Sequence, residues 1–153
     1  MDKIKFIVIG FILLSVMSSC RYEEPSFSLT KLNDRIRGEW QVNKIEKNGV
    51  LSSEFPCYEE RVNSIFSFYQ TGVCLIDYSQ DNSNIKTAEG TWEFGNKKKT
   101  IIVNAKGQNQ VISRVYTIIK FSNKELILSY TDSNGNKWTL YLGLILSFID
   151  YGW

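Results

Sequence analysis

The sequence predicts an all-β protein, a single eight-stranded antiparallel up-and-down β-barrel over residues 34–153. Three observations predict it. Apolar and polar residues alternate with period two along successive stretches. Turn signals separate those stretches at intervals of about ten residues. Helical periodicity is almost absent after Gly38.

Strands are expected at 38–47, 62–69, 73–79, 87–95, 99–104, 111–121, 124–131 and 136–146. In the second, Val62, Phe66 and Phe68 share a face against Asn63, Ser67 and Tyr69. In 111–121, Val111, Val115, Ile119 and Phe121 oppose Arg114, Tyr116 and Lys120. In the last, Trp138, Leu140, Leu142, Leu144 and Leu146 oppose Lys137, Thr139, Tyr141 and Gly143. The chain should reverse at Asn48-Gly49, Thr71-Gly72, Gly95-Asn96, Ala105-Lys106-Gly107, Ser122-Asn123-Lys124 and Asn134-Gly135-Asn136. Eight strands, each with one apolar face, bury that face and lose their exposed edges by closing into a barrel.

Ahead of the barrel, Lys3 and Lys5 precede an uncharged run from Phe6 to Met17. Those residues, about 18 Å of helix, fall short of the roughly 30 Å hydrocarbon core that a spanning helix must cross. The segment 1–19 is therefore expected to be a cleaved secretory signal. Val16-Met17-Ser18-Ser19-Cys20 resembles the bacterial lipoprotein signal, in which small residues precede a cysteine that is acylated before cleavage. The resemblance implies lipid attachment at Cys20, with fatty-acyl chains such as palmitate, and a place in the bacterial cell envelope, at the outer membrane. Two or three chains on one residue hold a protein durably where one holds it marginally. The alternative is plain secretion. Residues 20–33, with Glu23, Glu24, Pro25 and serines, read as a flexible tether.

Without Asp2, Lys3 and Lys5, the 18 basic and 16 acidic side chains become 16 and 15, a near-neutral balance that gives a nucleic-acid partner no electrostatic basis. The chain has no histidine, which excludes Ser-His-Asp and Cys-His nucleophilic sites and histidine-bearing zinc sites. No metal, cofactor or catalytic residue is assigned, and the protein is expected not to be an enzyme. Cys57 and Cys74 remain after Cys20 is committed to lipid. An oxidising envelope favours a disulfide between them, the alternative being two reduced thiols with Cys74 packed in a strand.

Gly38-Glu39-Trp40, in LNDRIRGEWQVNKIEKNG, resembles the Gly-x-Trp opening of lipocalins and of lipocalin-like bacterial lipoproteins. Ile65-Phe66-Ser67-Phe68 with Gly72, Gly90-Thr91-Trp92-Glu93-Phe94 and Lys124-Glu125-Leu126-Ile127-Leu128 continue the likeness. It implies a lipocalin-like barrel that binds a small hydrophobic or amphiphilic ligand, with a protein–protein module (an inhibitor or accessory subunit) as the alternative. Classical lipocalins carry a late arginine over the tryptophan and a helix after the last strand. This chain has no arginine after Arg114 and no room for a helix before Trp153, so a small filled barrel is implied as readily as a ligand-carrying calyx. The two Gly-x-Trp motifs, at Gly38 and Gly90, read as one local solution used twice: a glycine bend followed by an inward tryptophan.

Trp40, Phe66, Phe68, Trp92 and Trp138 are the residues that would line a cavity, or fill the interior if none exists. Glu59 and Glu60 are expected as solvated loop charges, and Asp77 and Glu93 as outward strand carboxylates. Lys97-Lys98-Lys99 reads as a hairpin turn kept soluble by its charges, the alternative being contact with anionic headgroups or lipopolysaccharide phosphates, and Asp132–Asn136 is read as a turn because it lacks the register of a calcium loop.

Overall fold

The computed structural model describes residues 32–79, 84–108 and 110–147. The signal segment, Cys20 and the tether as far as residue 31 lie outside the described residues. The described chain is a short helix α1 (Leu32–Ile36) followed by strands β1 (Gly38–Lys47), β2 (Val50–Leu51), β3 (Ile65–Phe68), β4 (Val73–Ser79), β5 (Ile85–Gly95), β6 (Thr100–Lys106), β7 (Val111–Phe121), β8 (Glu125–Thr131) and β9 (Lys137–Ser147). A single 3-10 turn at Tyr58–Glu60 interrupts the connection from β2 to β3.

β1 pairs with β3, each later strand pairs antiparallel with the next, and β9 returns to pair with β1. Eight strands thus close a barrel, as expected. β2 adds a two-residue flap, reached through an Asn48-Gly49 turn whose residues have φ of 55° and 81°, the left-handed pair that this tight reversal requires. α1 begins inside the segment expected as tether, and it buries Leu32 and Ile36 against the core.

Two glycines let strands approach where a side chain would not fit. A Cβ at Gly38, which has φ of 149°, would stand 2.2 Å from the carbonyl oxygen of Leu146 on β9. One at Gly90 would stand 1.8 Å from the carbonyl oxygen of Asn104 on β6. Each Gly-x-Trp motif then sends its indole inward with its N–H satisfied: Trp40 donates to the Ile36 carbonyl at 2.8 Å and Trp92 to the Tyr69 carbonyl at 2.9 Å. In α1 the Arg35 guanidinium lies 4.9 Å from the ring centre of Phe121, itself edge-on to Trp40.

The structure corrects two strand readings. Val62 is not in β3, which begins at Ile65; Val62 is an exposed residue of the preceding connection. On β7 the inward residues are Ile112, Tyr116, Ile118 and Phe121, while Val111, Val115 and Ile119 face outward. A bulge between Ile118 and Lys120 shifts the alternation by one, which is how Phe121 enters the core on the same side as Tyr116. β9 follows expectation through Leu142, then exposes Leu146 at its end.

Candidate functional site

Trp40, Phe66, Phe68, Trp92 and Trp138 are all buried and inward, but they do not converge on one space. Phe68 meets Trp92 edge-on with ring centres 5.3 Å apart, and Trp92 meets Phe94 at 5.5 Å. Trp40, Phe66 and Phe68 have 0% exposure. A void wide enough for water would leave accessible surface on its walls, so these residues fill the end of the barrel next to α1. Trp138 stands at the other end, where its indole N–H donates to Asp132 at 2.9 Å. The Asp132 carboxylate also receives the backbone N–H groups of Asn134 and Asn136, so it ties a turn together.

The end of the barrel opposite α1, its mouth, is crossed by residues 52–64. The Ser52 N–H donates to the Ile45 carbonyl at one end of this segment, and Asn63 and Ser64 pair with Val42 at the other. Between these anchors the Tyr58–Glu60 turn dips into the barrel. Contrary to expectation, Glu59 and Glu60 are not solvated: their exposures are 2% and 0%. Burial of a carboxylate is tolerated only where donors replace water, and they do.

Glu60 receives the Tyr116 hydroxyl on Oε1, and the Tyr130 hydroxyl at 3.0 Å and the Cys57 thiol at 3.1 Å on Oε2. Nε of Arg114 lies 3.6 Å from Oε2, an ion pair too long for a hydrogen bond, and that nitrogen is buried without an acceptor. Glu59 turns the other way, to the Gln110 side-chain amide and the Tyr78 hydroxyl. Gly107 makes room for it, since a Cβ there would stand 2.3 Å from Glu59 Oε1. Arg61, next in the chain, donates to the Ser79 carbonyl on β4.

Burial, and then the Glu60 charge, push the Tyr116 and Tyr130 hydroxyls well above the ordinary tyrosine range. Burial likewise pushes the Cys57 thiol up, with Glu60 adding to it. All three therefore keep their protons at neutral pH and act as donors. The two glutamates face different partners, so they do not form a carboxylate pair set to work on one bond. Among the described residues, no group of three or more His, Cys, Asp or Glu side chains is placed to hold a metal ion.

The disulfide expected between Cys57 and Cys74 is not formed; both are free, buried thiols. Cys57 is committed to Glu60, and Cys74 packs inside β4, where burial pushes its thiol up to about 12. Asp77 and Glu93 stay outside, as expected, and Asp77 accepts from Thr87 on the neighbouring strand at 2.5 Å. Lys97 and Lys98 border an open cleft of about 480 Å³ beside α1, shared with Asn33, Gln70, Trp92 and Phe94.

The polar cluster at the mouth was missed in the sequence because it depends on the phase of β7. Once Tyr116 is known to point inward, a buried hydroxyl demands an acceptor. The run Cys57-Tyr58-Glu59-Glu60 then becomes the nearest unassigned source of one.

The closed eight-stranded barrel, its Gly-x-Trp opening and its filled base define a lipocalin-like protein. A family model described as a lipocalin-like domain matches residues 36–128, more than half of the chain, and the chain belongs to that family. The crystal structure of an uncharacterized protein from Bacteroides eggerthii is similar in fold, with a TM-score of 0.50 at 12% identity, covering 71% of this chain and 98% of that one. No curated protein matches the sequence.

Proposed function

We propose that this is a lipid-anchored envelope protein, held through Cys20 at the bacterial outer membrane, whose barrel binds a small hydrophobic or amphiphilic ligand without catalysing its conversion. The observation that carries the binding reading is the mouth. Val50, Leu51, Phe55, Tyr58 and Val62 are each more than a third exposed around its rim, over a barrel whose floor is aromatic. Greasy side chains left in water at the entrance of a barrel suit an apolar ligand that passes them. Anchoring is supported by the direction of the chain. The polypeptide reaches the barrel through α1, at the end that also carries the exposed Lys97, Lys98, Lys99 and Lys124, so a tether from Cys20 turns these cations toward anionic headgroups and the mouth away from them.

The second reading is a protein–protein module. The filled base favours it, because a solid barrel with an apolar rim is also a docking platform. Titration with long-chain fluorescent amphiphiles separates the two. Ligand binding predicts saturable quenching or shifting of tryptophan emission, whereas the absence of any response leaves the docking reading. Cells fed labelled palmitate test the anchor: label on the native chain and none on Cys20→Ala is expected, and membrane retention of labelled Cys20→Ala would contradict it.

A further inference from the structure

The donors that surround Glu60 come from two sources. Tyr116 and Arg114 belong to β7 and Tyr130 to β8, all parts of the barrel wall, while Glu60 and Cys57 belong to the segment that crosses the mouth. A wall with two buried hydroxyls and a guanidinium aimed at one point has been built around an anion. The geometry points to this wall as a receptor for a carboxylate, filled in the present state by the protein's own Glu60, which the head of a long-chain carboxylate binds by taking Glu60's place. The inference rests on the ligand-binding reading above and names the class of ligand.

Three further features fit it. Arg114 is poorly served by Glu60: its buried Nε has no hydrogen-bond acceptor and its nearest carboxylate oxygen is 3.6 Å away, so an acceptor seated differently gains a contact that Glu60 does not make. The segment is fixed by backbone pairing to the barrel only at its ends, through Ser52, Asn63 and Ser64, and its middle is tied down through side chains: Glu54 to Lys47, Ser64 to the Tyr58 carbonyl, Cys57 in the core, and Glu59, Glu60 and Arg61. Releasing those side chains lets it swing outward without breaking a strand. An alkyl tail whose head lies between Tyr116 and Tyr130 would leave past Phe55, Tyr58 and Val62, the exposed apolar residues of that same segment.

The test compares 11-(dansylamino)undecanoic acid with the corresponding dansylated alcohol on the native chain, E60A and E60Q. Removing the internal competitor should tighten binding of the acid about tenfold or more and leave the alcohol nearly unchanged. An acid-to-alcohol affinity ratio that stays the same in the variants overturns the proposal, because a carboxylate that only pins the segment would change both probes alike. E60Q keeps the side-chain shape, so the comparison survives if E60A does not fold. If neither probe binds any form, the ligand-binding reading fails, and the wall is decided by acetate alone. Acetate titrated to about 0.5 M, against acetamide at the same concentrations as control, should raise the Tm of a Glu60 variant progressively, by about 4 °C once it reaches ten times the Kd that the titration gives. No rise above the control overturns the receptor.

Discussion

The hydroxyl of Tyr130 lies 3.0 Å from Oε2 of Glu60, joining a strand of the barrel wall to a carboxylate 70 positions earlier in the chain. With Tyr116 on the other oxygen, this contact closes the mouth by chemistry rather than by apolar packing. The polar network is thereby a stability element as well as a candidate site.

Tyr116→Phe removes one donor from a carboxylate with no access to water, and a lost hydrogen bond to a buried charge costs about 2 kcal/mol. Urea denaturation should show a lower midpoint at unchanged slope. A midpoint equal to that of the native chain would mean that Glu60 does not depend on this hydroxyl.

The glycines of the two Gly-x-Trp motifs should tolerate nothing larger. Gly38→Ala and Gly90→Ala place a methyl group 2.2 Å and 1.8 Å from backbone oxygens of the neighbouring strand. Each should cost about 3 kcal/mol or more by forcing paired strands apart. Gly49→Ala, with φ of 81° but nothing within 4 Å, pays only the left-handed backbone and should cost about 1 kcal/mol. Thermal unfolding of the three variants ranks them, and equal losses would contradict the close strand contacts.

Acid should loosen the hairpin between β8 and β9 in a defined window. The Trp138 indole N–H, followed by the donors of Asn136 and Asn134, holds the Asp132 carboxyl down at about 2. An unfolded aspartate titrates near about 3.9. The folded value is the lower one, so the contribution of Asp132 to stability is fully present above about pH 4 and is lost as the pH falls toward about 2. Trp138 emission followed over that range should change with the native chain and lose this step in Asp132→Ala.

Both thiols should be silent in the native protein. With Cys20 replaced by Ser, a thiol reagent is expected to find no reactive cysteine until denaturant is added, and then two, because only the thiolate reacts and burial suppresses it at Cys57 and Cys74. Labelling of either thiol without denaturant would place that cysteine at the surface, and finding no thiol even after unfolding would restore the disulfide.

The sequence made the barrel readable through its turns and its first and last strands. Asn48-Gly49 and the glycines at 38 and 90 have one physical use each, and β9 keeps strict alternation over Trp138, Leu140 and Leu142. β7 was not readable, because both of its faces are apolar enough to pass for the inner one: Val111, Val115 and Ile119 on one, Ile112, Tyr116 and Ile118 on the other. Periodicity fixes a period and leaves the phase free, and the bulge after Ile118 changes the phase within the strand. The error carried into the site. With Tyr116 placed outside, nothing required Glu60 inside, and a Glu-Glu pair in a polar connection has every mark of a solvated loop.

Hydrogen exchange of residues 57–62 with and without a long-chain carboxylate tests the central claim most directly. If the ligand's head replaces Glu60, the amides of this segment exchange faster when the acid binds, while those of β7 and β8 are unchanged or slower, and the matching alcohol has no such effect. Exchange across 57–62 that stays constant or slows on binding the acid would contradict the account, since Glu60 would then have kept its place between Tyr116 and Tyr130.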